Sequence, residues 1–170
     1  MSVAEFEERI TPKAGRTLIV GSRVYGDKED RRKRYPDVVG VDMAAGPGVD
    51  VVADLELEPV GMFDHIECMS VMEHCRRPWL IAQNLEFMLR SSGTLFITVP
   101  FIWRVHGYPD DYWRFTSSGV RSLFSKIKWT EEAYSCRELY SAANDIPSVR
   151  SPDDWPCFAR TEVCMFGVRQ

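Results

Sequence analysis

The chain has 170 residues, 45% of them hydrophobic, and its 21 basic and 25 acidic residues give a net charge of −4. That length suits one domain, with enough chain to bury a core without disulfides or metals to hold it together. The acidic balance gives no reason to expect nucleic acid or an anionic membrane as partner, and no apolar run approaches the ~18 residues of a spanning helix.

In chain order, Ser2 to Ile10 reads as a short acidic helix closed by Pro12 and Gly15. The polar start, Met1 to Arg9, is unlike a secretory signal. Thr17 to Val20, Val38 to Val41, Val49 to Ala53 and Phe63 to Met69 are short apolar, largely β-branched runs expected as strands. Between the first two lies Asp27-Lys-Glu-Asp-Arg-Arg-Lys-Arg34, which carries no apolar residue. A helix there has no face to bury, so the segment is expected to be short or solvent-exposed, with Arg31 to Arg34 a solvated basic patch. Arg77 to Arg90 is the strongest helix signal, with Pro78 in its first turn, Gly93 after its end, and an apolar stripe of Leu80, Ile81, Leu85, Met88 and Leu89.

Thr94 to Val99 is a fifth strand, stopped by Pro100, and Thr116 can cap a helix running through Phe124. Two late β-like runs, Lys128 to Ser135 and Thr161 to Val168, bracket a polar, proline-containing stretch. Alternating short strands and helical segments predict a parallel sheet covered on both faces. The last two runs lack a helix between them and are expected to pair antiparallel.

Five cysteines, an odd number without a CxxC, read as reduced thiols of a cytoplasmic protein. His65, Cys68, His74 and Cys75 lie close in sequence, but their spacing matches no zinc frame, so no metal site is expected.

In an open α/β sheet, ligands bind at the carboxyl ends of the strands. Those ends are Gly21-Ser22-Arg23, Asp42-Met43, Asp54-Leu55, Met69-Ser70 and Pro100-Phe101. Gly21 and Asp42 lie 21 positions apart, the layout of an adenosine-type cofactor site in which the acid accepts hydrogen bonds from a ribose diol. A turn formed with its own backbone is the alternative role for Asp42, and a solvated turn is the alternative for Asp54. A dinucleotide also needs a helix N-terminus aimed at its pyrophosphate, which the charged segment 27–34 does not promise. A cofactor without phosphates, whose anionic end is one carboxylate, fits better, and Arg23 or the loop amides can meet that carboxylate.

The segment from Pro100 to Thr116 holds six aromatic residues together with Arg104, His106, Asp110, Asp111 and Arg114. It follows the fifth strand and is expected to fold over the cofactor mouth as the wall of a small-molecule pocket. Core packing or a contact in a homodimer is the alternative for its aromatics. His106 is the candidate general base, with Asp110 or Asp111 second. Glu73 and His74 lie near the same mouth.

Leu18-Ile-Val-Gly21, Val39-Gly-Val-Asp42, Val52-Ala-Asp54, Phe63-Asp64, Ser70-Val-Met-Glu-His74 and the passage from Leu89 through Gly93 to Pro100 resemble class I S-adenosylmethionine-dependent methyltransferases. The similarity is greatest to the type-11-like small-molecule group. It runs from about Thr17 to Thr116, and the final hairpin fits it too.

The resemblance implies one domain over residues 1–170 with a Rossmann-like three-layer α/β/α fold. Its sheet would be seven-stranded and mostly parallel, ending in an antiparallel hairpin. It implies S-adenosylmethionine as cofactor, S-adenosylhomocysteine as product, and a small-molecule or sugar-like acceptor. Gly21, Ser22 and Arg23 would lie by the methionine end, Asp42 at the ribose and Met43 beside the adenine. Asp54 and Leu55 would flank the adenine edge, and Met69 and Ser70 the methionyl part. Arg23 stands where the family has the second glycine of its GxGxG loop. A degenerate, non-catalytic binding or interaction domain and a nicotinamide-dependent dehydrogenase are the competing readings.

Overall fold

The computed structural model describes residues 3–10, 15–107, 109–135 and 162–170. Seven strands form one sheet: β1 Thr17–Val20, β2 Val38–Asp42, β3 Val51–Val52, β4 Phe63–Met69, β5 Leu89–Pro100, β6 Ile127–Ser135 and β7 Glu162–Arg169. Their spatial order is β3-β2-β1-β4-β5-β7-β6. The first five run parallel; β7 lies antiparallel between β5 and β6. The expected fold, hairpin included, is present. The polar stretch joining the hairpin strands lies outside the described residues, as do Cys136 and Cys157.

Helix α2 (Pro78–Met88) and helix α3 (Ser117–Leu123) cover one face of the sheet. Pro78 occupies the first turn of α2, where its missing N–H costs nothing, and Ile81, Ala82, Leu85 and Met88 turn inward. They meet Ile66 and Cys68 of β4 and Leu95 and Ile97 of β5 in the main core. Thr116 caps α3, its hydroxyl accepting from Gly119 N at 3.0 Å. Helix α1 (Val3–Ile10) covers the opposite face, where Val3 and Phe6 pack on Phe96 and Cys164. This second layer is thin: between β1 and β2 there is only one 3₁₀ turn, Arg31–Arg34.

Several boundaries differ from expectation. The main helix stops at Met88, and β5 already starts at Leu89, with an irregular register between Phe63/Leu89 and His65/Thr94. Ser92 takes a positive φ there, so the helix ends in a distorted strand entry rather than at a glycine. Strand β3 shrinks from the expected five residues to Val51–Val52.

The larger departure concerns the charged segment. It is short, as expected, but its 3₁₀ turn is only partly a solvated patch: Lys33 and Arg34 are exposed, while Arg31 is half-buried and ion-paired. Arg31 turns inward under the sheet, donating to Glu67 Oε2 at 2.6 and 3.0 Å and to Glu7 of α1. Arg32 pairs with Asp30 and Asp50, and Arg34 with Glu29 and Glu7. Where an apolar helix would pack, ion pairs do the docking.

Glu67 is fully buried on β4, and Tyr35 also donates its hydroxyl to it. Burial pushes the Glu67 carboxyl up, but His65, Arg31 and Tyr35 outweigh this and hold it at about 2. His65 Nε2 stands 3.9 Å away, past hydrogen-bond reach, so Arg31 and Tyr35 carry most of the effect. A folded-state pKa below the ordinary 4.5 adds stability that is complete above that value and lost as pH falls toward about 2. The shift corresponds to on the order of 3 kcal/mol. Acid-unfolding curves of the wild type and of Glu67→Gln should therefore converge between about pH 4.5 and 2. Parallel curves through that window would show that Glu67 does not carry the acid sensitivity.

Candidate active site

The carboxyl ends of β1, β2, β4 and β5 open into one cleft of about 1250 Å³. It is lined by Gly21, Ser22, Arg23, Asp42, Met43, Asp54, Leu55, Met69 and Ser70, and from the far side by His106 and Asp110. Asp111 lies behind this lining. The sequence-selected strand ends thus come together, each held for a local reason.

Gly21 follows β1 with φ +69, and a Cβ there would stand 2.5 Å from Val71 Cγ2. Only glycine lets the loop cross that close to the turn after β4. Gly21 and Ser22 both donate to Val41 O, tying the loop to β2. Ser22 is buried, and its hydroxyl has no hydrogen-bond partner among the described residues.

Asp42 ends β2. One carboxylate oxygen accepts from Arg23 N at 3.2 Å and the other from Ala44 N at 3.1 Å. It therefore makes the local turn bond its alternative role required. A carboxylate has about four acceptor positions, so about two remain on this residue of the cleft lining. Met43 beside it is 63% exposed, an apolar side chain at the lip without protein cover. Asp54 accepts from Glu56 N at 2.8 Å, while Leu55 is buried in the cleft floor. Ser70 has φ 52, a left-handed conformation unusual for serine, at the point where β4 turns into the cleft.

Arg23, the residue in place of a family glycine, is folded toward the β2–β3 loop. A Cβ on Gly46 would sit 2.7 Å from its Nε, and its guanidinium lies 5.1 Å from the Tyr25 ring centroid.

The opposite wall is built from the turn after β4 and the segment after β5. Tyr112 N and Trp113 N both donate to Glu73 O, Trp113 Nε1 donates to Cys75 O at 2.9 Å, and Phe115 N donates to Pro100 O. These bonds fold the aromatic segment back across the mouth. His106 Nδ1 lies 3.1 Å from Asp111 Oδ2, and His106 N donates to the same oxygen at 2.8 Å. Arg114 grips both oxygens of Asp111 at 2.6 and 2.7 Å and, with burial opposing, holds its carboxyl far below the usual range. Asp111 is thus fixed as a charge behind His106. Asp110 accepts from the Tyr112 hydroxyl through its side chain and faces His74 Nδ1 through its carbonyl, at 2.7 and 2.6 Å.

Glu73 is 1% exposed, and its Oε2 has no hydrogen-bond partner among the described residues. Burial pushes its carboxyl up to about 7, with the negative Asp111 and Glu162 adding to the effect. Glu73, His74 and His106 each present one ligating atom within 4.8 Å of the others. The four residues weighed in sequence as a zinc set do not assemble: His65 and Cys68 sit on opposite faces of β4. Sequence reading placed Glu73 and His74 near the mouth but did not join them to His106. It missed Arg31 and Glu67, which also line the cleft.

No helix among the described residues is long and apolar enough to cross a membrane. No protein-family model matches the sequence, and no curated protein matches it. Solved structures do share its fold. One is in the complex between the Haloferax volcanii Trm112 methyltransferase activator and the putative methyltransferase. It superposes with a TM-score of 0.66 at 17% identity, over 99% of this chain and 88% of that one. The N-methyltransferase NodS from Bradyrhizobium japonicum, solved with S-adenosyl-L-homocysteine, gives 0.59 at 12% identity, over 91% and 77%. The Burkholderia thailandensis 1,6-didemethyltoxoflavin-N1-methyltransferase, with its substrate and S-adenosylhomocysteine bound, gives 0.63 at 14% identity, over 93% and 72%. The chain therefore has the class I S-adenosylmethionine-dependent methyltransferase fold.

Proposed function

We propose that the protein transfers a methyl group from S-adenosylmethionine to a small-molecule acceptor bearing a nucleophilic oxygen or nitrogen. The reading is carried by one observation: Gly21 and Asp42 line the same cleft, and the chain beyond the glycine loop forms no α-helix to receive a pyrophosphate before β2. After β1 the chain has only the four-residue 3₁₀ turn, and Arg31, Arg32 and Arg34 are all engaged by acids. That favours a cofactor ending in a carboxylate over a dinucleotide. The cleft fits such a molecule: about two acceptor positions on Asp42 remain, Met43 is uncovered, and the Ser22 hydroxyl is unpartnered among the described residues.

In this reading Asp42 holds the ribose hydroxyls and Met43 lies along the adenine, with Asp54 and Leu55 at its edge. Gly21, Ser22 and Arg23 receive the methionine end, and Met69 and Ser70 flank its chain. Bound S-adenosylmethionine supplies a methyl group already activated on a sulfonium, so the protein mainly aligns the nucleophile with it. The acceptor sits against the aromatic segment. His106 takes its proton through Nε2, since Nδ1 faces Asp111. Asp111, locked by Arg114, serves as the orienter of His106 rather than as a base, and Asp110 fixes His74 through its carbonyl. The two bound neighbours, each with S-adenosylhomocysteine, support the cofactor assignment.

Isothermal titration with S-adenosylhomocysteine and with NADH tests the reading. S-adenosylhomocysteine should bind and NADH should not. Asp42→Ala should weaken that binding about 100-fold, the loss of hydrogen bonds to a charged acceptor. Binding of NADH alone would assign the cleft to a dehydrogenase, and binding of neither would leave an interaction domain.

A further inference from the structure

We propose that Glu73, His74 and His106 form a binding site for a divalent first-row transition ion at the acceptor side of the cleft. Three independent features converge there. Glu73 is buried, and its Oε2 has no hydrogen-bond partner among the described residues, so its carboxylate has acceptor capacity left for a cation. His74 Nδ1 lies 2.6 Å from the Asp110 carbonyl, an acceptor only, so that nitrogen carries the proton and Nε2 keeps its lone pair. His106 Nδ1 faces two more acceptors, Asp111 Oδ2 at 3.1 Å and Arg104 O at 3.3 Å, with the same consequence. An imidazole fixed through one nitrogen by a carbonyl or carboxylate, with the other nitrogen open, is how metal-ligating histidines are oriented.

Ligands about 2.1 Å from an ion lie about 3.0–3.4 Å from one another. The present atoms are within 4.8 Å, and His74 Nε2 is 3.8 Å from Glu73 Oε1. His106 is 25% exposed, which leaves its ring room for the small adjustment that metal binding would require. Two imidazoles and one carboxylate suit manganese, iron, cobalt, nickel or zinc better than magnesium or calcium. Three protein ligands leave positions open toward the cleft. On the methyl-transfer reading, an acceptor oxygen or nitrogen bound there would be acidified and lose its proton to solvent when the ion is present; in the metal-free protein His106 takes that proton, as proposed above. Whether the ion binds does not depend on that reading.

The test is titration of the metal-free protein with Co²⁺, followed by visible absorption and calorimetry, with Mg²⁺ as control and S-adenosylhomocysteine titrated separately. The expected result is one Co²⁺ per chain with ligand-field absorption, displaced by Zn²⁺ and not by Mg²⁺. His74→Ala with His106→Ala should abolish it. Asp111→Asn, which leaves all three ligands in place, should weaken it about 10- to 100-fold. Circular dichroism of each variant checks that it folds. No Co²⁺ site in protein that binds S-adenosylhomocysteine would overturn the metal inference and leave the methyl-transfer reading standing. Co²⁺ binding that survives the double substitution would also overturn it. A site that responds as expected in protein that does not bind S-adenosylhomocysteine would support the metal inference and sink the methyl-transfer reading.

Discussion

Arg31→Met is expected to destabilise the protein by about 3–5 kcal/mol, because it strands a buried carboxylate. Glu67 has no exposure, and with Arg31 removed its charge is met only by Tyr35 and a distant His65. Glu7 on α1 loses a partner in the same step, so the helix that covers this face of the sheet loosens with it. For a chain of this size the loss corresponds to a fall in Tm of roughly 10 °C. The double variant Arg31→Met with Glu67→Leu should recover most of it, since replacing both members of a buried pair by apolar groups is close to neutral. Urea unfolding of the two variants and the wild type decides the matter. A loss below about 1 kcal/mol for the single variant would put Arg31 among ordinary solvent-screened ion pairs.

That network also marks where sequence reading stops. The strands were legible because β-branched runs, such as Val38–Asp42, end at residues whose chemistry belongs at a sheet edge. Thr116 was legible because its cap is local. Asp42 and Gly21 could be matched because the layout of the sheet fixes their spacing. Nothing local marks Arg31 as inward-facing: its partners Glu7 and Glu67 are 24 and 36 positions away. A run of four basic residues looks like a solvated face until the acids that neutralise it are known. His106 is similar. Its chemical type singled it out, but its neighbours Glu73 and His74 come from another strand end, brought near by the bonds from Tyr112 and Trp113 to Glu73 O. The early start of β5 at Leu89 was hidden because Leu85, Met88 and Leu89 are equally good as a helical stripe. Only pairing with Phe63 assigns the last of them to the sheet.

His106→Ala should lower turnover about 10²- to 10⁴-fold, the usual scale for removing the group that handles a proton in the transition state. Binding of S-adenosylhomocysteine should stay within about twofold, because the adenosine contacts are proposed to come from Asp42 and its neighbours across the cleft. The loss should fall on kcat rather than on the KM for the cofactor. Asp111→Asn should produce a smaller loss of the same kind. It keeps the shape behind His106 but removes the charge that Arg114 now balances, leaving that guanidinium without its ion pair. Asp42→Ala should do the reverse, raising the cofactor KM first. Steady-state kinetics on the three variants, with any acceptor that supports turnover, reads out this division of the cleft. Equal damage to kcat and to cofactor binding by His106→Ala would mean that His106 supports the fold of the mouth rather than the chemistry within it. Full turnover in that variant would remove it from the mechanism altogether. The division follows from the proposed site: the residues assigned to the cofactor lie mainly at the ends of β1 and β2, and those assigned to the acceptor in the chain after β4 and β5. Outside the sheet the two sides meet at a few contacts, such as the Gly21 loop against Val71 and Arg77 against Glu56, so a substitution at His106 or at Asp42, neither of which makes these contacts, should leave the other side in place.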